Sequence, residues 1–214
     1  MHKIQADFMI NGISIVIKSI KKGHLRRSAF MLLHSKIDED IIKNLQAHSC
    51  NILLRLMSHD YNMYHKYMYV IADRIIAIKD ELKYNEISNI LYSYRRIEED
   101  NNCGFTLKGI EIMLNTFKKK LTEVSDKFLS SDFTGNIKKN TAFQKSLIKS
   151  LTQTILFLND QNLVDEGFVK MALDIINSKN PILYENADSQ IIHSFIGYVV
   201  NCRINSIVGL EDLL

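Results

Sequence analysis

NEISNILYSYRRIEEDNNCGFTLKGIEIMLNTFKKKL, residues Asn85–Leu121, decides the fold class. Ile87, Ile90, Leu91, Tyr94 and Ile97 recur at steps of three and four, which lines them along one stripe of an α-helix. Glu98 to Asn102, followed by Gly104, carry turn chemistry. The periodicity then resumes. Thr106 is placed to cap a second helix in which Leu107, Ile110, Leu114, Phe117 and Leu121 repeat, and Lys118, Lys119 and Lys120 suit its negative dipole end. An isolated pair of such helices buries neither stripe fully, so it requires neighbours of its own kind.

Working outward, the rest of the chain divides into similar hairpins. Toward the N-terminus, a helix from Asp7 to about Ile20 (Ile10, Ile13, Val16, Ile17) turns at KKGH into a helix from Leu25 to Ser35. Asp38, Glu39 and Asp40 open one longer predicted helix through Ile41, Leu45, Ile52, Leu53 and Leu56, their charges set at its positive end. SHDYN ends it, and its partner carries Ile71, Ile75, Ile78 and Leu82. On the C-terminal side, Ser125 to Asn140 has little periodicity and contains Gly135. Beyond it lie a helix on Leu147, Ile148, Leu151, Ile155 and Leu158, a turn NDQN, and a helix on Phe168, Met171, Ala172 and Ile175. Pro181 is a stop signal, followed by a helix on Ile191, Ile192, Phe195, Ile196 and Val199. Asn-Ile-Leu occurs at 51–53 and again at 89–91, each time ahead of an acidic, Asn-rich turn. The expectation is an all-α fold, an α-solenoid of antiparallel helical hairpins, with repeats over 1–124, an inserted linker over 125–140 and further repeats over 141–214. Ile90, Leu91, Leu114, Phe117, Ile155 and Ile192 are its expected core. An irregular helical bundle is the competing arrangement.

Composition agrees with a folded helical chain. Across 214 residues the hydrophobic share is 46% and the charged share 24%, and a single proline leaves few helix breakers. Charge interrupts every apolar run before it reaches membrane-spanning length, so no membrane partner is expected. Cys50, Cys103 and Cys202 lie far apart, without the spacing of a disulfide framework or zinc site. The formal charge of +3 is concentrated locally. Lys18, Lys21, Lys22, Arg26 and Arg27 crowd the first hairpin, and Lys118 to Lys120 with Lys138, Lys139, Lys145 and Lys149 form a second basic region.

Catalytic chemistry finds little support. His59, Asp60 and His65 are the only compact His/Asp group, and a spacing of six positions does not set the two histidines on one helix face as metal ligands. His48 and Cys50, two apart, point in different directions, so Cys50 reads as a small hydrophobe. The chain has no GxxxxGK[ST], GxGxxG or GxSxG string. The expectation is a non-enzyme with no cofactor, metal or small-molecule substrate.

EISNILYSYRRI, with its Asn-rich turn and second amphipathic helix, resembles the repeat of organellar helical-hairpin proteins of the heptatricopeptide and octotricopeptide kind; ADSQIIHSFIGYVVN is similar. The resemblance implies an α-solenoid that binds organellar RNA, in some members within a mitochondrial ribosome. It carries neither a recognisable C-terminal RAP-type domain nor a sharp Arg-rich targeting segment. On that reading the chain is a mitochondrial, non-catalytic scaffold whose partners are RNA, with ribosomal RNA foremost, and ribosomal or other ribonucleoprotein proteins. Lys18, Lys21, Lys22, Arg26 and Arg27, then Arg95 and Arg96, are the residues expected to grip phosphate, and Tyr64, Tyr92 and Tyr94 are candidates to stack on bases. A protein-binding α-solenoid adaptor without RNA contact is the alternative.

Overall fold

A computed structural model describes residues 3–20, 24–95, 105–130, 137–161, 163, 165–177 and 197. Among these residues the fold is helical throughout, with no strand. The elements are α1 (Lys3–Ser19), α2 (His24–Lys36), α3 (Glu39–Lys43), α4 (Ala47–Met57), α5 (Tyr61–Ala77), a 3-10 turn (Lys79–Glu81), α6 (Tyr84–Arg95), α7 (Leu107–Ser130), α8 (Ile137–Asp160) and α9 (Glu166–Asn177). They form two compact units, Met1–Thr116 and Phe117–Leu214. The expected turn from Glu98 to Gly104 and the helix on Ile191 to Val199 lie outside the described residues, Gly197 alone excepted.

In the first unit α1 packs on α2, and α4 packs on α1, α5 and α6. The two Asn-Ile-Leu segments therefore sit on neighbouring helices. Ile52 and Leu53 of α4 and Ile90 and Leu91 of α6 are all buried, as are Cys50 and Ser88 one position before each triplet. Aromatic rings close this core, with Tyr64 edge-on to Tyr94 at 6.2 Å between centroids and Tyr94 against Phe105 at 4.3 Å. Thr106 caps α7 as its position predicts, its Oγ1 accepting from the Gly109 N–H at 3.1 Å.

The single helix predicted from Asp38 through Leu56 is broken. α3 ends at Lys43 and α4 begins at Ala47. Distant side chains satisfy the backbone freed by the break: Arg74 donates from Nε to the Leu45 carbonyl at 2.9 Å, and Asp7 Oδ1 accepts the Gln46 N–H at 3.2 Å. Asp38 caps α3 by accepting from the Ile41 N–H at 2.8 Å. α5 also secures the link before it, since the buried Tyr67 hydroxyl donates to the Ile37 carbonyl at 2.8 Å. The stripe on Ile71 and Ile75 ends with α5 at Ala77, and Ile78 and Leu82 flank the 3-10 turn instead of extending the helix.

In the second unit Phe117 packs on Phe168 at 6.0 Å between centroids. Asp165 both caps α9, accepting from the Phe168 N–H at 2.9 Å, and holds Lys118 Nζ at 2.7 Å. Ile90, Leu91, Leu114, Phe117 and Ile155 are buried as expected, and Ile192 lies outside the described residues. The linker expected over 125–140 is helical at both ends, because α7 runs to Ser130 and α8 starts at Ile137. Extension of an existing helix adds one hydrogen bond per residue fixed, so polar residues prolong a helix that buried turns have nucleated.

Candidate nucleic-acid interface

The first hairpin supplies the cations. Lys18 stands in the last turn of α1 and Arg27 in α2, both exposed. Arg26 lies in α2, but its side chain, like all of Lys21, Lys22 and Arg96, is outside the described residues. A further cation joins them. Arg55, exposed in the last turn of α4, lies near enough for its guanidinium to disfavour the charge on Lys18. Partial burial is the larger cause and Arg55 the smaller, and together they bring the Lys18 ammonium below its usual range. Among the described residues no carboxylate pairs with Lys18, Arg27 or Arg55. Lys43 and Lys118, by contrast, meet Glu39 and Asp165. Arg55 went unnoticed in the sequence, yet it had a signal there: it is the lone charge in NILLRLM, residues 51–57.

Arg95 does not join this cluster as a free grip on phosphate. It ends α6 half-buried, with its guanidinium 5.7 Å from the centre of the Tyr92 ring. Two of the three tyrosines considered for base stacking are withdrawn from solvent. Tyr64 and Tyr94 are core residues, and only Tyr92 is partly open.

Of His59, Asp60 and His65, it is Asp60 whose role is structural. Asp60 caps α5, accepting from the Met63 N–H at 3.2 Å, and its other oxygen lies 3.2 Å from His34 Nε2. Burial pushes the Cys50 thiol up to about 12 against the opposing influence of Arg74, so the thiol stays protonated and a poor nucleophile. Among the described residues, no three His, Cys, Asp or Glu side chains gather as a metal site, and no helix is long and apolar enough to cross a membrane. No family model, curated protein or solved structure matches the chain.

Proposed function

We propose that the chain is a non-catalytic RNA-binding helical scaffold of a mitochondrial ribosome or a related ribonucleoprotein. The observation that carries this reading is the pair Lys18 and Arg55, two like charges held near each other on different helices without a carboxylate between them among the described residues. Such a pair costs stability in the free protein and gains it back when a phosphate lies against both. Arg27 on the adjoining helix extends the charge. The solenoid arrangement belongs to the same proposal. It is supported by α4 lying against both α1 and α6, so that the leading helices of successive hairpins are neighbours, and by the matched buried triplets of α4 and α6. The resemblance of residues 85–121 to organellar repeats points to the compartment.

Filter binding of single-stranded poly(U) across a salt series tests the RNA reading. Log affinity should fall linearly with log salt, and Lys18→Gln, Arg27→Gln or Arg55→Gln should each flatten the slope by about 0.7. A flat salt response, or slopes that none of the three changes alter, would replace this reading with the protein-binding adaptor. Recovery of the tagged chain from mitochondria with ribosomal RNA and proteins tests the assembly.

A further inference from the structure

Three helices of the first unit run side by side in one direction. Asp7, near the start of α1, accepts the N–H of Gln46 just ahead of α4 at 3.2 Å, and at the other end of the same two helices Arg55 lies near Lys18. α4 and α6 begin together as well, because His48 Nδ1 in the first turn of α4 lies 3.3 Å from Glu86 Oε1 in the first turn of α6, and the two helices pack on each other. Their last turns therefore form one edge, to which α1 brings Lys18, α4 brings Arg55 and α6 brings Arg95. Axes of packed helices are roughly 8–10 Å apart, and the row of cations takes its interval from that spacing.

The matched triplets fix which side of each helix faces outward. Ile52 and Leu53 of α4 and Ile90 and Leu91 of α6 are buried, while the asparagine that leads each triplet, Asn51 or Asn89, is half-exposed. Arg55 follows Asn51 by four positions and Tyr92 follows Asn89 by three, so each lies one turn beyond its asparagine on the outer face. Arg55 and Tyr92 thus leave neighbouring helices on the same side.

A cation in the last turn complements the helix dipole, and that alone accounts for one in each helix. It does not account for Tyr92. Tyr64 and Tyr94 are buried, whereas the Tyr92 ring stays half-exposed with the Arg95 guanidinium over it, 5.7 Å from the ring centre. A ring pinned by a cation keeps one orientation at the surface, so it has less rotamer freedom to lose when a base settles on it. Phosphate contacts position a nucleic acid, and aromatic rings hold unpaired bases, which a duplex keeps inside its own stack. Both kinds of group stand here along one edge.

We propose that this edge takes single-stranded RNA laid across the helices, with phosphates at Lys18 and Arg55 and a base stacked on Tyr92, which Arg95 holds in place. The inference rests on the RNA reading and names the form of nucleic acid that reading leaves open. The chain contains no tryptophan, so Tyr92→Trp places a single emitter at the stacking position of the full-length protein. Its emission should be quenched by a short oligouridylate, and left unchanged by an abasic ribose-phosphate chain of the same length or by the same strand paired with its complement. In filter binding, wild type should hold the oligouridylate about five- to hundredfold more tightly than the abasic chain, the gain expected of one stacked base. Tyr92→Leu should erase that preference without changing the salt slope, and Tyr92→Phe, which keeps the ring, should retain it. The proposal is overturned, and the phosphate contact of the RNA reading stands, if the oligouridylate binds with a salt slope but no better than the abasic chain. The same holds if it binds without quenching, if the duplex quenches as strongly, or if Tyr92→Leu keeps the preference. If neither chain binds, the RNA reading itself fails and the proposal falls with it.

Discussion

In α6, Ile87, Ile90, Leu91 and Tyr94 are all buried, whereas α1 buries Ile10, Ile13 and Ile17 but leaves Phe8, Ile15 and Val16 in solvent. Both helices are amphipathic, and their sequences do not announce the difference. It arises from neighbours: α6 is covered by α4 on one side and reaches Phe105 through Tyr94, while α1 packs on α2 and α4 and, among the described residues, leaves its remaining flank open. Burial of a stripe is thus a property of which helices pack beside it, and not of the stripe's own spacing.

The comparison breaks most readily on stability. Leu91→Ala should cost about 2–5 kcal/mol, because removing a fully buried side chain loses transfer energy and leaves a cavity. Ile15→Ala, at 67% exposure, should change stability by no more than about 0.5 kcal/mol. Urea unfolding monitored by circular dichroism reads both. Equal shifts of the two midpoints would mean that the open flank of α1 is covered in solution.

A pair of glycines sharpens the contrast at smaller scale. Gly12→Ala in α1 meets open space and should stabilise the chain by about 0.5–1 kcal/mol through the better helix propensity of alanine. Gly109→Ala in α7 should not gain this. Its Cβ would come within 3.1 Å of Phe105 Cδ1, and that ring is backed by Tyr94, so the neighbour has little room to yield. Thermal melts of the two variants should move in opposite directions. A fall for Gly12→Ala would show that α1 is already in contact with something at that point.

What the sequence disclosed follows the range of the interactions involved. Steps of three and four placed α1, α2, α6 and α9 to within a few residues, and Thr106 was legible as a cap because its Gly109 partner is three positions away. The break between α3 and α4 was not legible, because it is held by Asp7 and Arg74, 39 and 29 residues from the groups they bind. Helix at the edges of the expected linker was missed for a different reason: local polarity there does not oppose extension of helices nucleated elsewhere. For the site, the clustering of Lys18 and Arg27 was visible in composition, but the arrival of Arg55 from α4 required the fold. Arg95 is equivalent to them in the sequence, but in the fold its guanidinium lies over the Tyr92 ring.

The smallest effect concerns the charge on Lys18 and bears most directly on the proposed phosphate contact. Its folded-state titration lies below the ordinary 10.5, from burial first and from Arg55 second, so between the two values the unfolded chain binds more protons than the folded one. Stability should therefore rise with pH through that window, as the ammonium loses the charge that the fold disfavours; below it the penalty is fully present. Solvent screening of the exposed ammonium holds the effect near the low end of the roughly 0.2–1 kcal/mol typical of exposed charge pairs. Urea unfolding over the alkaline range should show this rise in wild type, a smaller rise in Arg55→Gln, and a still smaller one in Lys18→Gln, because the glutamine at position 18 removes both causes at once. Saturation with oligothymidylate, a phosphate chain that withstands alkali, should reverse the sign: a phosphate beside Lys18 and Arg55 favours the ammonium, so binding takes up protons in the same window. Calorimetric titrations in two buffers of different ionisation heat measure that uptake. Uptake that persists in Lys18→Gln would move the phosphate contact away from α1.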